Sequence, residues 1–433
     1  MTSDRVPVAI IGGGFSGTML AAQLARKGIG SALIDGSGRA GVGTAYSTVE
    51  PAHLLNVRAE MMSAWADDPD HFARAFEAEG GDRRGFAQRL LFGRYLRDIL
   101  GEARGADVVR AYARRVRQDG DGWAVELDDG RTLRADALVL AHGNQLPDPV
   151  GAGERLINDP WGAEAQAAVR DLAQTNGEVL IVGTSLTMVD LALSLDAAGH
   201  RGRIVALSRR GLVPRAHAEY PPAPVEADAV PHGDLLGLWT WLKRRAADVG
   251  WRAAVDSLRP HSHALWQSFD ERQQRRFLRH ARPWWDVLRH RIAPEVAATI
   301  VRMVEEGRLE IVAGRIVRME EASDGVSVEY RRRGRRETRS ARFDYVFNCT
   351  GPLGSIGRTR DPLLRGLLDA GLIRPDHLGI GVEVDGNSRA LGASRMWAMG
   401  PLTKGRYWEM IAVPDIRGQA AAVADDIAEE LAQ

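Results

Sequence analysis

Gly12, Gly14 and Gly17 stand in G-x-G-x-x-G spacing directly behind an apolar run, Val8 to Ile11. Glycine meets a different need at each place: a tight turn at Gly12, approach of backbone to a pyrophosphate at Gly14, and close contact of helix with strand at Gly17. An apolar stripe over Thr18 to Lys27 predicts the helix that turns its amino end toward the phosphates. A second run, Ser31 to Ile34, ends in Asp35, near the usual offset for an acid that bonds a ribose hydroxyl pair. NAD and FAD share this fingerprint, so it names a dinucleotide and leaves open which one. Its place at the amino terminus, with a late return of the chain to the same sheet, favours FAD. Asp136 to Gly143 and Asp344 to Gly351 both read as that return: apolar strands ending in small-residue turns where Gly143 and Gly351 let backbone near a ligand.

A second such unit follows. Glu178 to Val182 reads as a strand, Gly183 as its turn, Leu186 to Ala198 as a helix and Ile204 to Leu207 as the next strand. Its glycine motif is degraded, with Ser185 and Met188 at the two later places. The second strand ends in Ser208, Arg209 and Arg210 instead of an acid. A carboxylate there would repel a 2′-phosphate, whereas guanidinium offers it a charge-assisted fork, so NADPH is expected over NADH. The alternative is that both arginines are solvated surface charge. Two dinucleotide sites in one chain imply a relay from nicotinamide to flavin.

Cys349 is the only cysteine, which rules out a redox pair within the chain as the next carrier. Electrons would then pass to dioxygen, giving a flavin peroxide that oxygenates a substrate, or to a diffusible organic acceptor. Three stretches could line the pocket. Gly41 to Trp65 is long, irregular and rich in small residues, and its His53 and Asn56 could donate to a flavin ring. Met399 to Ala420 joins a glycine turn at Gly400 to a final amphipathic helix whose amino end would favour negative charge, with Lys404 nearby. Asn56 and Lys404 are the catalytic candidates, though Lys404 also reads as a surface lysine. The third stretch, about His232 to Glu306, is helical and carries six tryptophans, most of them expected in a core. Within it Arg279 and Arg282 share a helical face, as would suit capture of a substrate carboxylate or, equally, a salt-bridged surface. The cofactor candidates also include Phe15, Ser16, Val57, Val116 and Thr184.

The elements that must position these residues make an α/β chain of two Rossmann-like dinucleotide-binding domains. The expected division is a discontinuous FAD domain (1–150 and 340–433), an NADP domain (151–231 and 307–339) and a helical insertion or substrate region (232–306). The 433 residues carry 57 basic and 57 acidic side chains, which argues against nucleic acid or an anionic membrane as partner. The basic hairpin at Tyr330 to Arg339 is isolated. No apolar run suits a signal peptide or a membrane span, so a cytoplasmic protein is expected, and no metal site is read.

The segments GVGTAYS, HLLNV, FLRHARPWWDV, NCTGP and WEMIAVPDIRGQA resemble a bacterial family of FAD/NAD(P)-binding proteins, similar in plan to the flavin N-hydroxylating and Baeyer–Villiger monooxygenases. The resemblance implies FAD at Gly12, Gly14, Gly17 and Asp35, with Asn56, Val57 and the turn after Gly400 near the flavin ring. It implies the nicotinamide cofactor along Gly183, Ser185 and Arg209. The expected activity is an NADPH-dependent FAD monooxygenase acting on a small polar substrate, amine-bearing or carboxylated, with dioxygen. The alternatives are an NAD(P)H-dependent reductase with a diffusible acceptor, and a redox-sensing or binding protein that uses its nucleotides structurally.

Overall fold

A computed structural model describes residues 5–433. Two seven-stranded sheets are built on the same plan, each a parallel core extended by an antiparallel flap. In the first, β1 (Arg5–Ile11) lies between β2 (Ser31–Ile34) and β6 (Thr132–Leu140), with β3 (Ala106–Val109) at one edge. These four run parallel, and the flap of β4 (Ala113–Asp119) and β5 (Gly122–Leu127) folds antiparallel onto β6. β5 covers only the amino-terminal half of β6; a short late strand, Met396–Ala398, pairs with the carboxyl-terminal half.

The second sheet repeats the scheme. Between β7 (Leu156–Ile157) at one edge and β10 (Leu309–Ala322) lie β8 (Val179–Val182), β9 (Ile204–Ser208) and β13 (Tyr345–Asn348), all parallel. β11 (Gly325–Arg332) and β12 (Thr338–Phe343) make the antiparallel flap, with Gly334 at its turn in the left-handed region. The central strands have helices on their faces, so they are apolar throughout: Val8 to Ile10 and Val179 to Ile181 have no exposed surface.

One strand belongs elsewhere than the sequence suggests. Asp136–Gly143 returns to the first sheet as expected, but Asp344–Gly351 does not: β13 pairs with β8, so the NCTG turn closes the second unit. The helical region Leu235–Arg289 encloses its own core of Leu242, Val255, Leu265 and Trp285, packed with Trp241 and Trp251. Trp284, by contrast, is 43% exposed. The helix Pro294–Glu305 leaves this bundle and packs on Leu186–Ala197 and β10, as the crossover of the second sheet. No helix among the described residues is long and apolar enough to cross a membrane.

Candidate active site

Both nucleotide turns are walled by the return strand of their own sheet. At Gly12, with φ +112°, an added Cβ would collide with the carbonyl oxygen of Ala141, at the end of β6. At Gly183, with φ +123°, it would collide with that of Cys349, at the end of β13. A Cβ at Gly17 would strike the Gly12 carbonyl. These are positions only glycine can fill, and each turn leads into a helix with no side-chain cap. The helix Phe15–Arg26 starts from Gly14 and the helix Leu186–Ala197 from Ser185, so their first-turn N–H groups are open to an anion. The cradle fits a pyrophosphate in both units.

The strand ends differ as the sequence suggests. Asp35 accepts from Gly13 N–H at 2.9 Å and from Ser37 N–H at 2.8 Å, so the acid braces the glycine turn as well as closing β2. In the second unit Thr184 bonds Ser208 Oγ at 2.8 Å and Ser208 accepts from Gly211 N–H, tying the two loops together. Arg209 is exposed and Arg210 half-buried, and neither forms an ion pair among the described residues. Phe15 and Ser16 are buried at the start of the first helix, and Ser16 Oγ lies against Gly400. Val116 sits in mid β4 opposite Val125, in the core of the flap.

Between the units lies a cavity of about 900 Å³. The first unit contributes Asn56, Val57 and Arg89; the second contributes Leu186, Thr187 and Asp190 from the first turns of its nucleotide helix. The helical region adds arginines and histidines, and Ile411 to Val413 bring the start of the helix Val413–Leu431. That helix also has no side-chain cap, so its positive end meets the cavity. The Asn56 carbonyl accepts from His217 Nε2 at 3.0 Å, while its side-chain amide has no hydrogen-bond partner among the described residues. Burial lowers His217 to a pKa of about 4, so it is neutral at physiological pH.

Several predicted residues take other places. His53 is buried with both ring nitrogens engaged: Nδ1 to Thr48 Oγ1 at 2.8 Å, Nε2 to the Asp190 carbonyl at 2.9 Å and to Ser194 Oγ. It clips the Gly41–Trp65 stretch to the second unit and has no nitrogen left for a ligand. Lys404 lies outside the large cavity, in a narrow cleft with Gly143 and Leu353, where its ammonium donates to the Leu353 carbonyl. Burial and the nearby Arg282 bring its pKa down to about 8. Gly400 N–H is held by Gln419 Oε1 at 2.7 Å. Gly351, φ +90°, lies in the turn that walls Gly183, away from the first site.

Arg279 and Arg282 do not form a carboxylate clamp in the cavity. Phe277–Ala281 is a π-type turn, whose extra residue breaks the three-apart spacing that would stack them. Both are exposed, and Arg282 bonds Asp286 at 3.2 Å and lies over the Trp408 ring. The cavity arginines come instead from Arg58, Arg84, Arg89, Arg259, Arg289 and Arg291. Arg89 and Asp190 form a two-bond ion pair at 2.8 and 2.9 Å that joins the first unit to the second. Glu409 is buried in the left-handed region at φ +68° and accepts from Trp285 Nε1 at 2.5 Å. Glu409 and Arg289 fall in stretches that the sequence singles out, but their pairing does not show there, because these residues converge from separate turns. No cluster of three or more potential metal ligands occurs among the described residues.

Comparison with known proteins agrees with this arrangement. Residues 9–145 match the FAD-NAD(P)-binding family profile. L-lysine 6-monooxygenase from Pseudomonas syringae superposes with a TM-score of 0.70 at 16% identity, over 98% of this chain and 99% of that one. Ornithine hydroxylase from Pseudomonas aeruginosa, in its reduced form, gives 0.68 at 15%, over 99% and 100%. Thioredoxin reductase from T. acidophilum gives 0.57 at 11%, over 100% of both chains. Residues 9–145 thus form an FAD/NAD(P)-binding domain, and the whole chain has the two-unit fold seen in the lysine monooxygenase, the ornithine hydroxylase and the thioredoxin reductase.

Proposed function

We propose that the protein is an NADPH-dependent FAD monooxygenase of small polar substrates. The observation that carries this reading is a large cavity lined by both units, in a chain with two walled glycine turns whose single cysteine is buried and cannot form a disulfide relay. Burial also raises the Cys349 thiol far above its ordinary range, which leaves it inert. Thioredoxin-reductase chemistry is thereby disfavoured although the fold is shared.

Bound FAD would take two electrons from the nicotinamide and hand them to dioxygen, so that NADPH, a proton, O₂ and substrate become NADP⁺, water and oxygenated substrate. The chain's own residues do the rest. The amides behind Gly14 and Ser185 hold the two pyrophosphates, and Gly12, Gly17 and Gly183 leave room for them. Asp35 fixes the first turn and faces the ribose end of that site. Arg209 takes the 2′-phosphate, with Arg210 beside it. The free Asn56 amide and the start of the helix Val413–Leu431 face the reacting region, where the helix end favours developing negative charge. Lys404, near Gly143, is a positioning residue in this reading.

The test is electron balance in protein reconstituted with FAD. Anaerobic mixing with NADPH should bleach the flavin faster than mixing with NADH. Aerobic turnover with small amines should then give hydroxylated product in step with NADPH and oxygen consumed. Release of peroxide alone, with faster anaerobic turnover on a quinone, would instead favour the reductase reading. A colourless protein that cannot take up FAD would end both.

A further inference from the structure

The cavity wall from the helical region and the turn that follows it carries Arg259, Arg289 and Arg291. Arg291 is only 2% exposed and is matched to Asp256 by bonds of 2.8 and 3.1 Å, with Tyr220 bonded to the same carboxylate. Arg289 Nε lies 3.3 Å from Glu409 but is not aligned for a hydrogen bond. Among the described residues the Arg259 side chain has no hydrogen bond and no ion pair within 4 Å, and its Nη2 is buried with no acceptor. Asp415, Glu409 and Asp256 act on it only from a distance, and Arg289 opposes it. Burial and Arg289 together hold its guanidinium below the usual arginine range.

A buried cation without a partner is costly, and neighbours normally supply its acceptor. Elsewhere around the cavity they do: Glu219 pairs with Arg58 and Arg84, and Asp190 with Arg89. Glu60, the lining carboxylate without an ion pair among the described residues, belongs to the Ala59–Met61 turn of the first unit, a different wall. Asp415, also without an ion pair among the described residues, lies beyond 4 Å, so no carboxylate meets the Arg259 guanidinium directly.

We infer that the cavity takes a ligand bearing a carboxylate, and that Arg259, backed by Arg289, is the group that anchors it. This names the substrate class of the proposed oxygenase, and rests on that reading only for the ligand being the substrate. The carboxylate fills the acceptor position that no side chain occupies, and it fixes one end of the ligand against the helical region while the rest extends toward Asn56.

Calorimetric titration of FAD-loaded protein with acetate, 6-aminohexanoate and 4-phenylbutyrate, each against its neutral amide, tests this. Wild type should bind at least one acid about tenfold or more tightly than its amide. Arg259→Gln should erase that preference, Arg259→Lys should keep part of it, and the exposed Arg279→Gln should keep all of it. Protection of wild type from phenylglyoxal by the bound acid gives a second readout should Arg259→Gln fail to fold. Equal binding of acid and amide, no binding of any acid at millimolar concentration, or a preference that survives in Arg259→Gln would overturn the inference. Flavin reduction by NADPH, followed in the same samples, separates the two claims. Acid preference without reduction refutes the oxidoreductase reading alone, and reduction without acid preference refutes the anchor alone.

Discussion

Replacing Arg89 by Met removes one half of the ion pair that crosses from the first unit to the nucleotide helix of the second. Arg89 and Asp190 are 11% and 7% exposed, so the remaining carboxylate would stay buried with neither of its two guanidinium bonds. Breaking such a pair costs about 3–5 kcal/mol, whereas replacing both partners by apolar groups of similar volume is close to neutral. The double variant Arg89→Met/Asp190→Leu should therefore recover about 2 kcal/mol or more of what Arg89→Met loses, a coupling well outside additive behaviour. Urea unfolding followed by tryptophan fluorescence measures it, with hydrogen exchange over residues 186–197 reporting whether that helix loosens first. Losses of under about 1 kcal/mol in both single variants, adding simply in the double, would show that water already screens the pair and would refute its role in joining the units.

Arg209→Ala should weaken NADPH by roughly 5–30-fold, the worth of one exposed charge-assisted phosphate contact, and leave NADH within about twofold; equal losses in paired titrations would remove the phosphate argument. Gly12→Ala should abolish FAD retention on gel filtration, because its Cβ meets the Ala141 carbonyl and φ is +112°; a yellow, stable variant would contradict this. His217 has a folded pKa of about 4 against an ordinary 6.5, so the unfolded chain binds the extra proton between those values. Stability should thus fall as pH drops from about 6.5 to 4, and His217→Gln should flatten that part of a melting-temperature profile.

Much of the fold was legible because glycine turns are local chemistry. The strand, turn, helix and strand around Gly12 and Gly183 appear where the spacing puts them, and Asp35 and Arg209 stand at matching strand ends. The Tyr330–Arg339 hairpin likewise turns at its glycine. Which sheet a strand joins is not local. Asp136–Gly143 and Asp344–Gly351 look alike as sequence, and only pairing with β1 or with β8 separates them. Arg279 and Arg282 failed for a conformational reason, since helical spacing assumes an unbroken α-helix and a π-type turn intervenes. His53 was chosen by residue type, and its nitrogens proved to be spent on contact between the units. Arg259 and Asp190 gave no sign at all, and Arg289 only its place in a basic helical segment, because what matters in them is the absence or presence of a partner distant in sequence.

The walls behind Gly12 and Gly183 also bear on the order of events at the ribosome. Each phosphate cradle is finished by a carbonyl from a strand made long after the glycine itself, Ala141 for the first and Cys349 for the second. The first carbonyl is made well before the second, yet the unit around it is finished no earlier: Met396–Ala398 completes the sheet beside β6, and the helix Val413–Leu431 covers the helix Phe15–Arg26. Both nucleotide sites therefore reach their final packing only when the chain is nearly complete.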